Sequence, residues 1–419
     1  MDSCTCQQGS YFCKPCDSGR FRDNFARWSS GDSNLDELIQ NSQLEAYDPG
    51  QLIEWIDYSN LENMEYIAKG GYGSIYKAIW KDGPIVSNKK AWDINKSEWR
   101  RQNCTEVAIK KFKNTTCINS EHLNEINISL KMCLMSGGIN TIRIYGVTRD
   151  PQNGEYAIVT EFKNGGNLRE LIRKYHNDLT WEAVLNIFYH ISEALDYIHV
   201  EEYNHKDLHS GNILNSIESD KIMPVISDFG LCHPIDKNST DKEPYGVLPF
   251  VAPEVLRGGK FTKEADIYGI GMIMSEVISG ESPFVDREYD MNLSLAICNG
   301  QRPQIPEYTP KPYVTLMNRC WDPDPTNRPT SFDLCKHFSI MRDILRGNSN
   351  LNLVSEEYKE RVKEAFNQER ENKWKARLAE LAINPKPPKI SQNLFTSKQL
   401  DYSQCLSQKL TVEDWMNNN

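Results

Sequence analysis

The rhythm of hydrophobic and polar positions changes partway along the chain. Segments 73–78, 106–112 and 156–162 have the apolar patterns of strands, and residues 121–132 have helical spacing. Farther on, apolar residues recur every three or four positions, which is typical of a helix packed into a core: Val184, Ile187, Phe188, Ile191, Leu195 and Ile198. We therefore predict an α+β fold, with a small sheet-rich part carrying one helix and a larger helical part after it.

The flanking regions have patterns of their own. A helix is expected to begin near Ser33, because SNLD at residues 33–36 has the form of a capping box. In residues 356–383, apolar positions at helical spacing alternate with many charged ones, and prolines follow. For this tail we favour a solvated charged helix over an amphipathic helix that docks on the chain or a partner. The polar segment 81–106 is expected to be a surface loop.

These patterns divide the chain into four regions. A cysteine-rich start (1–30) and a helical lead-in (31–60) precede a central block (61–345), and a charged helical tail with a proline-containing linker (346–419) ends the chain. The central block is expected to form two lobes, residues 61–162 and 163–345. A cleft between two such lobes is where a ligand is expected to bind.

Composition narrows the class of protein. The chain has 419 residues, of which 39% are hydrophobic and 25% charged, as in ordinary globular proteins. A net charge of −10 argues against nucleic acid as a partner. The sequence shows neither a secretory signal nor an apolar run of roughly 18 residues, so we expect a cytoplasmic protein whose cysteines are thiols or metal ligands.

Four cysteines near the N-terminus form a C-x-C-x6-C-x2-C pattern: Cys4, Cys6, Cys13 and Cys16. Four thiolates could hold a structural zinc ion, and the second half of the pattern has the usual spacing of a zinc knuckle. The competing interpretation is an unstructured polar terminus with scattered thiols.

A glycine-rich segment is the first candidate for ligand chemistry. The sequence AKGGYGSI at residues 68–75 lies between two strand-like segments. Closely spaced glycines allow backbone amides to approach a phosphate chain without interference from side chains. A tight hairpin with no ligand would have the same appearance.

A lysine in an apolar strand is the second candidate. Lys110 ends the sequence VAIK at residues 107–110, and it either points to water at an edge or stays charged inside a lobe. A charge inside the protein needs an anionic partner, for which Glu125 on the following helix is the natural candidate. Such a pair could hold the α and β phosphates of a nucleotide.

The third and densest signal is HKDLHSGN at residues 205–212, followed by DFG at residues 228–230. Asp207, Asn212 and Asp228 supply one base and two oxygen ligands for a hard cation such as magnesium. Asp207 would accept the proton of an attacking hydroxyl, while Asn212 and Asp228 hold the metal ion. Phosphoryl transfer needs chiefly this positioning and charge stabilisation.

In these motifs and their order, residues 61–345 resemble the eukaryotic protein-kinase superfamily. APE at 252–254 and NRP at 327–329 match two further motifs, and CWDPDP at 320–325 is similar to the tyrosine-kinase and tyrosine-kinase-like groups. The whole chain resembles an expanded fungal family of the tyrosine-kinase-like group. The resemblance implies a two-lobed kinase fold and transfer of the γ-phosphate of ATP, with magnesium, to a protein hydroxyl in signalling, with serine or threonine favoured over tyrosine.

The resemblance also implies roles for single residues. Glu254 and Arg328 would form a structural ion pair, and Asp266 would brace the catalytic loop. Thr160 would be the gatekeeper, with backbone bonds to adenine from the residues that follow it. The full set of implied nucleotide contacts is Ile67, Gly70, Gly71, Gly73, Ile75, Ala108, Lys110, Thr160, Glu161, Lys163 and Leu214.

Several positions depart from the family pattern. Lys206 stands where the family usually has an arginine that binds a phosphorylated activation segment, so we expect weak control by phosphorylation there. His209, Gly211 and Val247 leave neither the serine/threonine nor the tyrosine acceptor signature intact. These departures keep open a second hypothesis, a pseudokinase or nucleotide-binding scaffold. The presence of Lys110 together with the acidic motif residues favours an enzyme.

Overall fold

The computed structural model describes residues 12–69, 73–87, 90–112, 117–135, 140–219, 221–234, 245–348, 351–384 and 397–400. The chain divides into two compact units, Met1–Phe162 (the N-terminal unit) and Lys163–Asn419 (the C-terminal unit). In these described ranges, no helix is both long enough and apolar enough to cross a membrane.

The N-terminal unit combines helices with a sheet. Its helices are α1 (Lys14–Asn24), α2 (Ser33–Glu45) and α3 (Ser120–Met135), with 3-10 turns at Phe25–Arg27, Pro49–Gln51 and Tyr58–Asn60. Its strands are β1 (Glu54–Trp55), β2 (Leu61–Lys69), β3 (Gly73–Trp80), β4 (Trp92–Asp93), β5 (Glu98–Trp99), β6 (Thr105–Phe112), β7 (Ile144–Arg149) and β8 (Tyr156–Glu161).

Six of these strands form one sheet in the order β1-β7-β8-β6-β3-β2. All neighbours are antiparallel except the pair β1 and β7, which is parallel. Buried residues of α3, including Ile126 and Leu130, share one hydrophobic cluster with Phe112 and Ile158 of the sheet. The prediction of a small antiparallel sheet carrying one helix is confirmed.

Helix α2 begins at Ser33 but is capped by the residue before it. The Asp32 carboxylate accepts the N–H groups of Asn34 and Leu35 at 3.0 and 3.1 Å. The predicted capping box at 33–36 is therefore wrong, because Asp36 turns back to accept hydrogen bonds from the segment before the helix. Leu35 is fully buried in the cluster beneath α3, so the lead-in is part of the core of this unit.

The segment 81–106 is not merely a surface loop, as the sequence suggested. Strands β4 and β5 form a small hairpin in which Trp92 pairs with Trp99. Trp99 stacks on Phe21 of α1 with ring centroids 4.4 Å apart, and the Arg20 guanidinium lies over the Trp92 ring at 4.8 Å. The two tryptophans attach the insertion to helix α1. The sequence analysis missed this contact because the segment is polar on average.

The C-terminal unit is mainly helical. Its helices are α4 (Leu168–Lys174), α5 (Trp181–Val200), α6 (Pro253–Leu256), α7 (Lys263–Ser279), α8 (Met291–Cys298), α9 (Lys311–Cys320), α10 (Ser331–Leu345), α11 (Glu356–Ala365) and α12 (Gln368–Ile383), with 3-10 turns at Ser210–Asn212, Leu248–Phe250 and Pro325–Asn327. Its strands are β9 (Tyr203–Asn204), β10 (Ile213–Glu218), β11 (Lys221–Ile226), β12 (His233–Pro234), β13 (Tyr245–Gly246) and β14 (Lys398–Gln399). They pair antiparallel as β10 with β11, β9 with β12, and β13 with β14.

The predicted apolar stripe of α5 lies in the core of this unit. All six of its residues are buried, and Phe188 stacks on Phe338 of α10 at 5.3 Å. The chain thus passes from a sheet-rich N-terminal unit to a mainly helical C-terminal unit, as the sequence pattern predicted.

The tail helices dock on the same unit, so the favoured prediction of a solvated helix is wrong. Trp374 of α12 is fully buried and stacks on Trp181 of α5 at 4.7 Å. Its indole N–H donates to the Val277 carbonyl at 3.3 Å, and Glu371 accepts the Trp181 backbone N–H at 2.8 Å. One buried stripe is enough to hold α12, while its other faces carry the charges that suggested solvation.

Candidate active site

The predicted site residues fall in both units, and each unit contributes its own set. In the N-terminal unit, Lys110 lies on β6, the strand between β3 and β8. Its Nζ is 2.6 Å from Glu125 Oε1 on α3, and both side chains are largely shielded from solvent. The ion pair keeps a charged ammonium inside the unit at a fixed position.

One face of the sheet carries several of the predicted nucleotide contacts. Cross-strand register places Ile75 opposite Lys110 and Ala108 opposite Thr160, so these four side chains share the face that α3 covers in part. All four are partly exposed, whereas the intervening residues of β6 are buried in the opposite cluster. Ile67, on β2, is exposed.

The structure explains one of the three glycines in the glycine-rich segment. Gly73 begins β3 beside the last residues of β6, and a Cβ there would collide with the Lys111 carbonyl oxygen. Strand pairing alone therefore requires a glycine at this position. Gly70 and Gly71 lie outside the described residues, so their role in holding phosphates stays a prediction.

The backbone after the predicted gatekeeper is partly engaged. The Glu161 N–H donates to the Arg143 carbonyl at 2.9 Å. Any backbone bond from Glu161 to an adenine would therefore use its carbonyl oxygen. In the C-terminal unit, the Lys163 carbonyl accepts the Gly166 N–H at 3.2 Å, and Leu214 forms a bridge with Asn167.

In the C-terminal unit, Asp266 of α7 organises the segment 205–212. Its buried carboxylate accepts the backbone N–H groups of His205 and Lys206 at 2.9 and 3.0 Å, and His199 Nε2 lies 3.0 Å away. Lys206 has a left-handed backbone with φ of 67°, which is costly for a side chain with a Cβ. The acidic anchor stabilises this conformation.

The imidazole of His205 links this loop to the segment that carries Asp228. Its Nδ1 accepts the Asp207 N–H at 3.3 Å, and its Nε2 lies 3.2 Å from the Ser227 carbonyl. Together these bonds assign the tautomer with the proton on Nε2. A fully buried histidine thus ties the two acidic motifs into one framework.

Asp207 is a buried carboxylate with several polar neighbours. Asn212 Nδ2 donates to Asp207 Oδ2 at 3.2 Å and to the Asp207 carbonyl at 2.9 Å. Burial alone would raise the pKa of Asp207, but the nearby His209 imidazole and the hydrogen bond from Ser397 lower it below its ordinary value. The group is consequently held as the carboxylate, the form that accepts a proton.

His209 is oriented by the backbone and faces Asp207. Its Nδ1 accepts the Gly211 N–H at 3.0 Å, which leaves Nε2 directed at Asp207 Oδ1, 3.7 Å away. A Cβ at Gly211 would approach the His209 ring within 2.8 Å. A larger residue at this position would therefore disturb the orientation of the histidine ring.

Asn212 and Asp228 provide the donors that magnesium prefers, an amide oxygen and a carboxylate. Because the Asn212 amide nitrogen donates to Asp207, the orientation of its amide group is fixed. The backbone of Asp228 has φ of 64°, a second left-handed residue beside the loop. Such strain is concentrated at functional sites, and the donor set fits a hard cation.

Glu254 and Arg328 form a bidentate ion pair with N–O distances of 2.7 and 2.8 Å. The arginine side chain is completely buried and also donates to the carbonyls of Asp322 and Glu264. The pair ties the end of the segment after DFG to α7 and to the loop before α10.

Two polar features of the C-terminal unit escaped the sequence analysis. Buried Glu276 of α7 accepts hydrogen bonds from Ser210 Oγ at 2.5 Å and from Arg169 Nε at 2.6 Å, which connects the loop at residues 205–212 to α4. The sequence signal for this network is a single acidic residue, Glu276, in the otherwise largely apolar run at residues 267–278. The other feature is the tail strand β14, which had no signal in the sequence.

Strand β14 pairs with β13, placing Lys398 opposite Gly246 and Gln399 opposite Tyr245. The Ser397 hydroxyl lies 2.7 and 2.6 Å from the two carboxylate oxygens of Asp207. Tyr245 Oη donates to the Ser397 carbonyl at 3.0 Å. The end of the described tail therefore lies against the loop at residues 205–212.

The cysteine pattern yields no metal site in the part of the chain that is described. Cys13 occupies the N-cap position of α1 without a capping bond from its side chain, and Cys16 lies within that helix. Within the ranges given above, no three histidine, cysteine or acidic side chains are placed to hold a metal ion. Cys4 and Cys6 lie outside these ranges, and the comparisons below lend no support to a zinc site.

Comparison with known proteins shows the family of the chain. The family model described as protein tyrosine and serine/threonine kinase matches residues 61–338. The chain therefore belongs to the protein kinase family, and it has the two-part fold of that family.

Similar proteins of Dictyostelium discoideum include "Probable serine/threonine-protein kinase roco5", 26% identical over 73% of this chain, and "Dual specificity protein kinase splA", 27% identical over 69%. A third, "Probable serine/threonine-protein kinase drkD", is 26% identical over 83%. The aligned part spans only 10%, 12% and 24% of these three relatives, respectively.

Proposed function

We propose that this chain is an ATP-dependent protein kinase that transfers the γ-phosphate of ATP to serine or threonine hydroxyls of protein substrates in signalling. The observation that carries the proposal is the buried Asp207 carboxylate, held ionised beside Asn212 in a loop anchored by Asp266. The names of the relatives above support serine and threonine as acceptors. Membership of the tyrosine-kinase-like group stays a prediction.

In the N-terminal unit, Lys110 would bind the α and β phosphates, with Glu125 fixing its position. An ammonium with 17% of its side chain exposed is accessible to a ligand yet remains paired. Ile75 and Ala108 would contact the base, and Thr160 would limit the depth of its site. The carbonyl of Glu161 would bind its polar edge. The remaining predicted contacts with the base, the backbone of Lys163 and the side chain of Leu214, belong to the C-terminal unit.

In the C-terminal unit, Asp207 would accept the proton of the substrate hydroxyl as the oxygen attacks the γ-phosphorus. A base of low pKa orients the hydroxyl and takes the proton late, which suits a transition state with little nucleophile activation. Asn212 and Asp228 would hold magnesium, which neutralises charge on the phosphates when bound. Asp266 and the Glu254–Arg328 pair would maintain the backbone that carries these groups.

We also propose that the protein acts in the reducing cytoplasm. The cysteines of the described residues, among them the buried Cys298 and Cys320, are thiols and not disulfides. Thiols of this kind are typical of a reducing compartment. A fluorescent fusion found only in secretory compartments would contradict this location.

The test is the transfer of radiolabelled phosphate from ATP, with magnesium, to myelin basic protein. We expect labelling by the wild-type chain, and loss of at least about 10²-fold in Asp207→Asn and Lys110→Met. Lys111→Met is the matched control. Lys111 is the next residue on the same strand as Lys110, and it forms a comparable ion pair, 2.6 Å from Asp150. Labelling should persist in this control.

Two outcomes would contradict the proposal. If the wild-type chain labels no protein and Asp207→Asn is indistinguishable from it, the scaffold hypothesis replaces the enzyme. If an unbiased peptide library yields only phosphotyrosine, the choice of acceptor is wrong. Melting temperatures of all variants separate loss of chemistry from loss of fold.

A further inference from the structure

The hydroxyl of Ser397 occupies the position that a substrate hydroxyl would need. Its Oγ lies within hydrogen-bond distance of both Asp207 oxygens and 3.3 Å from His209 Nε2. A proton acceptor must lie within about 2.6–3.2 Å of the group it deprotonates, and the contacts with Asp207 meet this condition. We propose that Ser397 is a phosphorylation site that the kinase modifies within its own chain.

Backbone pairing holds the tail in the manner of a bound peptide. Lys398 and Gln399 pair antiparallel with the short strand at 245–246, and the side chains of both tail residues are exposed. Strand addition of this kind gives affinity through main-chain bonds, independent of most side chains. The hydroxyl of Tyr245 adds a bond to the carbonyl of Ser397 itself.

Leu400 supplies a side-chain anchor three residues after the acceptor. It is fully buried, in contrast to the two exposed residues before it. A buried leucine at a fixed distance from a hydroxyl sets the register of the tail, since a slip by one residue would bring a polar neighbour such as Gln399 to the buried position. The register observed is the one that brings serine to Asp207.

Gly246 allows this close approach. Its φ is 138°, and a Cβ there would lie 3.0 Å from a Val251 methyl group and 3.6 Å from Asp207 Oδ1. A side chain at residue 246 would crowd both the base and the strand that pairs with the tail. The glycine therefore opens room for an extended acceptor segment beside Asp207.

The chemical step rests on the proposed function, which supplies ATP as the phosphoryl donor. Ser397 Oγ forms a bond to the γ-phosphorus while the bond from that phosphorus to the β,γ-bridging oxygen breaks, and ADP leaves. The hydroxyl proton passes to Asp207 and then to solvent. The product is a phosphoserine and one ADP, with no other reactant consumed.

Phosphorylated Ser397 would no longer fit beside the Asp207 carboxylate. A phosphoserine carries a charge of about −1.5 to −2 and would lie against the Asp207 carboxylate, which is 4% exposed. Repulsion between like charges in a site shielded from water favours release of the strand. Modification of Ser397 thereby uncovers Asp207 for other substrates.

The experiment uses the full chain with ATP, magnesium and added myelin basic protein, followed by mass-spectrometric mapping. We expect phosphate on Ser397, formed with a first-order rate constant that is unchanged over about a hundredfold range of protein concentration, because the reaction is intramolecular. Ser397→Ala should abolish this modification. Ser403→Ala, a serine of the same tail, should not.

A second variant addresses the anchor. Leu400→Asp should slow modification of Ser397 by at least about tenfold, because an aspartate cannot take the buried position. Phosphorylation of myelin basic protein by this variant should be undiminished. An unchanged rate at Ser397 would contradict the docked geometry.

The outcomes separate this inference from the proposed function. If myelin basic protein is phosphorylated in an Asp207-dependent manner and Ser397 is not, the kinase stands and the inference fails. Modification of Ser397 at a rate proportional to protein concentration also overturns it, since the step would then occur between chains. If neither substrate is modified and Asp207→Asn changes nothing, the proposed function itself fails.

Discussion

Asp266 holds Lys206 in a left-handed conformation: its Oδ1 accepts the Lys206 N–H at 3.0 Å, and the φ of that residue is 67°. Asp266→Asn keeps the shape but presents an amide N–H₂ to backbone donors. The loop should relax, and we expect kcat to fall about 10²-fold with little change in KM for ATP, because a small displacement of the base costs that much. Steady-state phosphorylation kinetics measure the split.

Glu264→Gln is the matched control for this substitution, since Glu264 lies in the same first turn of α7. It should retain kcat within about twofold. An Asp266→Asn protein with normal kcat would show that the loop keeps its geometry without this anchor.

His209 contributes to the low pKa of Asp207, and its removal should raise that pKa. Burial favours the protonated acid, and the imidazole is the largest influence opposing it. Because the folded-state pKa is depressed, ionised Asp207 stabilises the folded state above its ordinary pKa of 3.8, and this contribution is lost as pH falls through the folded value. His209→Gln should therefore move the protonation of Asp207 to higher pH.

Carbon-13 NMR of labelled aspartate carboxyls measures this pKa directly, with Asp207→Asn assigning the resonance. His190→Gln is a suitable control, because His190 is a half-buried histidine of α5 whose ion-pair contact is with Glu193. A midpoint for Asp207 that is unchanged or lower in His209→Gln would contradict the assigned electrostatics.

Trp374 should contribute strongly to the stability of the C-terminal unit. Its indole is fully buried, parallel to Trp181 within 9°, and bonded to the Val277 carbonyl. Trp374→Ala should lower the free energy of unfolding by about 3–5 kcal/mol. Lys373→Ala, at an exposed position of the same helix, should change it by less than about 0.5 kcal/mol. Urea unfolding monitored by circular dichroism distinguishes them.

The insertion hairpin should stabilise the N-terminal unit through Phe21 and Trp99. Phe21→Ala removes a buried ring and should cost about 3 kcal/mol. A double-mutant cycle with Trp99→Ala should give a coupling energy of about 1 kcal/mol, as expected for a stacked pair. Ile94→Ala, at the exposed tip of the hairpin, is the control. Additive single effects would mean that the insertion is not held by this contact.

Local patterns predicted the fold well where one segment determines its own environment. The stripe on α5 and the alternation in β6 depend only on which side chains face the core. The site motifs are local too, since Asp207 and Asn212 lie in one loop and the pair of Lys110 with Glu125 joins neighbouring elements. For this reason the fold class could be predicted from the sequence.

Contacts between distant segments could not be predicted in the same way. The partner of Trp374 is Trp181, and that of Ser397 is Asp207, and no spacing rule connects either pair. The cap of α2 shows the same limit at short range, because Asp32 and Ser33 are both good capping residues and tertiary bonds to Asp36 decide between them. The insertion hairpin was not predicted, because its packing depends on two tryptophans and the prediction used the average polarity of the segment.

Strand β1 lies at one end of the sheet, where it runs parallel to β7 and places Glu54 beside Gly146. The approach is so close that a Cβ on Gly146 would collide with the Glu54 backbone. A chain shortened to the start of the family match at residue 61 would lose this strand and leave the amides and carbonyls of β7 without it. Unpaired strand edges recruit strands from other molecules, so such a fragment should be prone to aggregation in a way that the longer chain is not.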